Sequence, residues 1–249
     1  MYRLIKERIY QKHRTVKFPI SKNMLPEHFL GLPVLKGCSD NNCRKCMEVC
    51  PVDAIFKRND SLYLDLGKCI FCGECAIICE YINFTKEYDL VSMDREGLVI
   101  SSSSKNISSH TKNLLLRKLL KNSLKLREVS AGGCNACELD VNVLNTVSWD
   151  IGRYGIQFVA SPRHADGILL TGPVSKNMEI AVKKTYEAVS DPKIVIACGA
   201  CAIDGGPFFD SDEVLKGVDK ILKVDLYIAG CPPHPATIMM GLLQFLGKL

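Results

Sequence analysis

Thirteen cysteines punctuate the 249-residue chain, and eight of them fall into two runs. The first run reads Cys38-x4-Cys43-x2-Cys46-x3-Cys50-Pro51, and the second reads Cys69-x2-Cys72-x2-Cys75-x3-Cys79. Short gaps let three thiolates wrap one iron–sulfur cube. In chains with two such cubes, the fourth cysteine of each run serves the other one. This crossed register assigns one 4Fe–4S cluster to Cys38, Cys43, Cys46 and Cys79. A second cluster takes Cys50, Cys69, Cys72 and Cys75. Zinc would need a reason for eight ligands in this register, because a structural zinc site closes on four. Two departures from the usual pattern stand out: Cys38 lies four residues before Cys43 rather than two, and Glu80 rather than proline follows Cys79. The segment "PVDAIF" after Cys50 offers apolar cover, which tunes a cluster's potential together with hydrogen bonds to the sulfurs.

Cys134, Cys137, Cys198, Cys201 and Cys231 remain. The pairs 134/137 and 198/201 could form a four-thiolate zinc site, but zinc ribbons separate their pairs by about 15–20 residues, and Cys231 would be left over. A redox dithiol at 134/137 would need a helix N-terminus to lower its pKa. The helical pattern of "ELDVNVL" provides one, without the rest of a thioredoxin context. A third reading gathers Cys134, Cys137, Cys201 and Cys231 around one further 4Fe–4S cluster. Gly132 and Gly133 would then let backbone N–H groups approach it closely. Cys198 ends an apolar strand and reads as a small buried hydrophobe.

The elements that must position these residues alternate. "LKLREV" (124–129), "IQFVA", "GILLTG", "KIVIAC" and "DLYIAG" predict strands bounded by Gly and Pro. "ELDVNVLNTVSWD" predicts a helix, and so does "SKNMEIAVKKTYEAVSD" with Ser175 as its N-cap. "PATIMMGLLQFLGKL" predicts a closing helix with Pro235 near its first turn. "KNLLLRKLLKNSLKL" (112–126) suggests a short basic amphipathic helix. Such alternation predicts an α/β fold, an open parallel sheet of the flavodoxin-like kind with helices on both faces. Cys134, Cys201 and Cys231 each follow a strand, so a parallel sheet would bring them to one carboxyl edge.

Four regions are expected: a basic N-terminal arm (1–37), an α+β two-cluster ferredoxin domain (38–100), a polar linker "SSSSKNISS" within 101–111, and the α/β domain (112–249). Seven basic side chains against two acidic ones in residues 1–30 account for the whole net charge of +5. A basic arm on a neutral body suggests an acidic partner or an anionic membrane surface, although a solvated basic helix would read the same way. No nucleic-acid motif accompanies it. No apolar stretch is long enough to span a bilayer. The first 22 residues lack the apolar run of a signal peptide. A cytosolic chain rarely uses disulfides, so the thiols read as metal ligands or redox centres.

"LGKCIFCGECAIIC", with "TVKFP" upstream, resembles the ferredoxin-like subunit of complex I and of group 4 membrane-bound nickel–iron hydrogenases. "GGCNACELD", "YGIQFV", "SPRHADGILLTGPVSKNM", "ACGACAIDGGPF" and "GVDKILKVDLYIAGCPPHPA" occur in order along 112–249. Together they resemble the small subunit of such hydrogenases, of the formate hydrogenlyase type. That family is homologous to the complex I 20 kDa subunit. The resemblance implies that Cys134, Cys137, Cys201 and Cys231 bind the proximal 4Fe–4S cluster and that Cys198 does not. Complex I subunits carry adjacent cysteines at the first position, whereas the gap between Cys134 and Cys137 is the hydrogenase form. The fusion of the two modules departs from the family, and the twin-arginine signal of exported relatives is absent.

The resemblance places the "SPRHAD" loop, with Arg163 and His164, near a large subunit. Glu138 could relay protons there, or simply favour its helix N-terminus. The implied function is electron transfer through three 4Fe–4S clusters to or from a nickel–iron site in a separate hydrogenase large (catalytic) subunit, with proton reduction or hydrogen oxidation as the overall reaction. The implied setting is the cytoplasmic face of the cell membrane, with membrane subunits and a soluble ferredoxin or another electron donor as partners. Two other readings stand beside it. One is a nickel-free, complex I-like oxidoreductase subunit that serves quinone or another acceptor. The other is a free-standing ferredoxin-type carrier or cluster-based sensor.

Overall fold

The protein is described by a computed structural model over residues 2–12, 14–36, 43–58, 61–102 and 118–249. Cys38, most of the expected linker and the start of the expected 112–126 helix lie outside the described residues. Helix α1 (Tyr2–Gln11) opens the chain, followed by β1 (Pro33–Leu35), α2 (Cys43–Glu48), β2 (Ile55–Arg58) and β3 (Ser61–Asp65). Next come α3 (Glu74–Ile78), β4 (Ile82–Phe84), β5 (Val91–Ser92) and β6 (Val99–Ser101). The C-terminal half runs β7 (Leu124–Ser130), α4 (Ala136–Val143), β8 (Ile156–Phe158), β9 (Gly167–Thr171), α5 (Lys176–Ala188) and β10 (Ile194–Cys198). It closes with α6 (Ala200–Asp204), β11 (Leu226–Ile228) and α7 (Pro235–Leu246).

"GILLT" and "IVIAC" are apolar at nearly every position because both faces of their strands are covered; all ten residues are buried. They sit in a six-stranded sheet of order β5-β11-β10-β9-β7-β8. Strands β7 to β11 are parallel, and β5 is antiparallel to β11. Numbered from the first parallel strand, the order is 2-1-3-4-5, that of flavodoxin-like folds, with the switch point between β7 and β9. Side chains alternate across the sheet. Leu169, Ile194, Ile196, Cys198 and Ile228 pack under α7, which buries ten of its twelve residues. Each large aliphatic side chain buried there contributes about 2 kcal/mol. Ile168, Leu170, Val195 and Ala197 face the other way, into a core shared with Leu64, Leu66, Ile82 and Leu98 from the N-terminal half.

The N-terminal half adds two small antiparallel sheets, β1-β4 and β2-β3-β6. The structure corrects two expectations. Ser101, which opens the expected linker, is the last residue of β6: it pairs with Tyr63 and is buried. A polar run reads as linker because backbone pairing leaves no mark on side-chain type. The expected 112–126 helix also ends early. Residues 118–120 are helical, but Leu124 and Leu126 belong to β7, where they alternate into the core. Strand β5 was not foreseen as part of the parallel sheet, since two residues carry no readable period.

Candidate metal centres

Because β7, β10 and β11 are parallel, their carboxyl ends share one edge, and Cys134, Cys201 and Cys231 follow those ends in loops or first helical turns. Cys137 joins them from the first turns of α4, and Cys201 from α6. Cys137 and Cys201 are buried, Cys231 is half-buried and Cys134 is exposed. Burial pushes the Cys137 thiol well up, and the thiols of Cys201, Cys231 and Cys134 add to the effect. Burial pushes Cys201 up to about 12, with Cys231 and Cys134 contributing, and raises Cys231, with Cys134 beside it. Three thiols whose ionisation is opposed by burial and by one another, Cys137, Cys201 and Cys231, would be ionised by a shared positive centre, which would release their protons on binding.

Glycines make room for the sulfurs. At Gly199 (φ 96°) a Cβ would stand 2.6 Å from Cys137 Sγ, and at Gly206 (φ 53°) 2.8 Å from Cys201 Sγ. An all-thiol donor set with backbone drawn tightly against it fits an iron–sulfur cluster. Among the described residues, no three His, Cys, Asp or Glu side chains converge closely enough to hold a single metal ion. Gly132 and Gly133 sit at the switch point. A Cβ on Gly172 would come within 2.5 Å of the Gly133 nitrogen, so close packing of the β7 and β9 loops is itself a reason for glycine there.

The earlier cysteines form two groups. Cys50, Cys69, Cys72 and Cys75 line one small apolar cavity, with Val52, Ile55 and Leu64. Cys50 Sγ accepts the Ala54 N–H at 3.2 Å, and Cys69 Sγ accepts the Phe71 N–H at 3.3 Å. Burial raises Cys75 to about 11, helped by Cys72 and Cys50, and pushes Cys69 higher still. Cys46 lies beside Cys79; burial and then the Cys79 thiol raise it to about 12. The crossed grouping of 50 with 69/72/75, and of 46 with 79, is therefore present in space. Cys43 begins α2, and Cys38 lies outside the described residues. Phe71, between Cys69 and Cys72, lines a groove together with Cys231–His234.

The other singled-out residues separate. Cys198 is wholly buried on the α7 side of the sheet. Glu138 is buried in the first turn of α4 and accepts a 2.6 Å bond from Thr171 Oγ1, which ties that helix to β9. Arg163 and His164 are exposed on a turn beside Lys125, Asp166 and Asp191, at the amino edge of the sheet, opposite the cysteines. Sequence reasoning missed Thr171 and Glu128. Glu128 on β7 leaves a buried Oε1 without a hydrogen-bond partner among the described residues.

Burial, then the Glu138 carboxylate, raises the Glu128 pKa to about 7. The folded state therefore holds a proton between pH 4.5 and 7 that the unfolded chain has lost. The stability linked to this proton is fully present below pH 4.5 and is lost as pH rises through 7. Glu128→Gln should accordingly leave the melting temperature unchanged near pH 4.5 and raise it at pH 8, where the gain in stability is on the order of 2 kcal/mol after allowance for partial exposure. Thermal melts of both proteins at the two pH values check this; equal gains at both would remove the titration as the cause.

An all-cysteine set on the carboxyl edge of a flavodoxin-like sheet defines a class of thiolate centre, and the comparisons give that class its family. The family model described as NADH ubiquinone oxidoreductase, 20 kDa subunit, matches residues 134–245. Formate hydrogenlyase subunit 7 of Escherichia coli is 40% identical over 156 residues, covering 63% of this chain and 61% of that protein. The probable membrane-bound hydrogenase subunit mbhJ of Pyrococcus furiosus is 43% identical over 121 residues, 49% of this chain and 72% of that one. An NADH-quinone oxidoreductase subunit of Phocaeicola vulgatus is 43% identical over 116 residues, 46% and 59% respectively. The chain belongs to this 20 kDa subunit family. It spans about three fifths of the length of the first and third of these relatives.

Proposed function

We propose that the chain is the electron-transfer subunit of a membrane-bound oxidoreductase complex. In this reading it carries three 4Fe–4S clusters: on Cys38, Cys43, Cys46 and Cys79; on Cys50, Cys69, Cys72 and Cys75; and on Cys134, Cys137, Cys201 and Cys231. Each cluster, when bound, supplies a one-electron relay. The observation that carries the reading is the gathering of Cys134, Cys137, Cys201 and Cys231 from three strand ends onto one edge. The chain's own residues hold the relay in place. The core shared by the two halves fixes the cysteine groups relative to one another. Phe71, which follows Cys69 and Ile70, and the Cys231–His234 loop line one groove, so the second and third groups approach one another there. The Ala54 and Phe71 N–H donors hold the sulfurs of Cys50 and Cys69 in place, and the bond from Phe71 works against the burial that raises Cys69.

The third group would exchange electrons with a nickel–iron site in a separate large subunit, where protons are reduced or hydrogen is oxidised. A soluble ferredoxin or another donor would serve the first two groups. The chain would sit on the cytoplasmic face of the membrane beside membrane subunits. No helix among the described residues is long and apolar enough to cross a membrane. The likeness to the NADH-quinone oxidoreductase subunit of Phocaeicola vulgatus supports a second reading, in which the partner lacks nickel and serves quinone or another acceptor. Hydrogen-dependent dye reduction by the purified complex separates the two. Activity, together with two Cys-x-x-Cys pairs in the co-purifying large subunit, supports the hydrogenase. Inactivity with a partner lacking those pairs overturns it.

A further inference from the structure

Helix α1 (YRLIKERIYQ) buries none of its residues. At 100° per residue Tyr2, Ile5 and Ile9 fall on one stripe, and Tyr2 and Ile9 are 80% and 71% exposed. Lys6 and Arg8 border that stripe; Tyr10 lies beyond Lys6, and Leu4, also exposed, lies beyond Arg8. A ten-residue helix with its apolar face in water is marginal by itself. Among the described residues, the backbone bonds to the body fall on the segment that follows it: the Val16 N–H donates to the Ser148 carbonyl at 2.7 Å, and Arg153 donates to the Val16 carbonyl at 2.5 Å; Arg8 and Gln11, at the end of the helix, line a groove with Asn145, Thr146, Val147 and Asp150. The first 22 residues carry seven cations against the single acid Glu7.

We propose that α1 lies in the interface of an anionic lipid membrane, with Tyr2, Ile5 and Ile9 facing the acyl boundary and Lys6, Arg8 and Arg3 among the headgroups. Charge selects this occupant. A narrow apolar stripe flanked by cations suits a helix that lies on a membrane rather than across it. Basic residues beside the surface are drawn to anionic lipid. The tyrosine rings suit headgroup depth, with an apolar body and a polar tip. This inference rests on the membrane-bound reading above and deepens it by giving the chain its own lipid contact.

The test is flotation of the purified full-length chain with vesicles of phosphatidylcholine alone, or with about a third phosphatidylglycerol. The expected result is binding to the anionic vesicles, little to the neutral ones, and release as salt rises from about 0.1 to 0.5 M. Ile5→Asp with Ile9→Asp should abolish binding. Lys6→Gln with Arg8→Gln should weaken it by about thirtyfold. Because α1 buries nothing, the melting temperature should not change in either variant. Absence of binding to anionic vesicles, or equal binding by the aspartate variant, overturns the proposal. So does a protein partner that is lost from the aspartate variant while the wild type ignores lipid. Co-purification of the large subunit reads the assembly separately. Lipid binding lost with that partner retained removes the helix proposal alone, and the converse removes the complex alone.

Discussion

Cys201→Ala is expected to lower the iron of the purified chain from about twelve to about eight atoms, with acid-labile sulfide following in step, as one four-iron cluster is lost of three. Cys201 stands in a one-turn helix immediately beyond β10, buried, with Cys231 and Cys134 acting on its thiol. Alanine there removes one corner of the four-cysteine set and leaves buried thiols with no shared charge to ionise them. Cys198→Ala is the control, because the two residues lie in one short segment but differ in environment. Cys198 is wholly buried among Ile196, Ile228 and Ile238. Its loss should cost about 1 kcal/mol for a small cavity and leave the iron count near twelve. Iron and sulfide assays on both variants decide the matter. Iron falling in Cys198→Ala and holding in Cys201→Ala would exchange the two assignments. A wild-type value near eight would remove the third cluster.

The convergence of Cys134, Cys201 and Cys231 was legible because it depends only on strand direction. Apolar strands alternating with helices run parallel, and parallel strands deliver whatever follows them to one edge. Cys198 was read as lying outside that set for a related reason: its place at the end of "KIVIAC" puts it within the sheet rather than beyond it, and there it is wholly buried under α7. Glu138 was recognised as a candidate, but its partner was not. Thr171 lies 33 residues away, and nothing in local composition announces that the ends of α4 and β9 will meet. Glu128 escaped because the outer half of β7 is only partly buried and breaks strict alternation. Arg163 and His164 drew attention through the resemblance, whereas their distance from the cysteine edge depends on how the chain returns from β8 to the start of β9. The contribution of β5 to the sheet was equally hidden, since backbone pairing by two residues has no side-chain pattern.

Arg95→Ala should destabilise the protein by about 3–5 kcal/mol near neutral pH, more than any surface ion pair could account for. The Arg95 guanidinium grips Asp65 with two parallel bonds of 2.8 and 2.7 Å, and Asp204 stands 3.7 Å away. Asp65 is buried at the end of β3 and also accepts the Gly67 N–H at 2.8 Å. Burial works against the Arg95 charge, but the carboxylates of Asp65, Asp204 and Asp219 more than offset it and raise its pKa. Alanine would strand Asp65 with a single N–H, and removal of one partner of a buried pair carries the full penalty of the unpaired charge. Asp65→Asn in the Arg95→Ala background should therefore recover part of the loss, because it removes that charge. Urea unfolding of the single and double variants measures both effects. A change below about 1 kcal/mol in Arg95→Ala would class the pair with exposed ones. The consequence extends to the third cysteine set, because Asp204 ends the helix that begins beside Cys201, and Lys68 also reaches Asp204 at 3.6 Å. Arg95 thus joins the sheet that backs the second cysteine group to the helix that bears Cys201. Loosening that joint should speed chelator-driven iron loss from the Cys201 set more than from the Cys50 set, since only the former depends on where α6 is held.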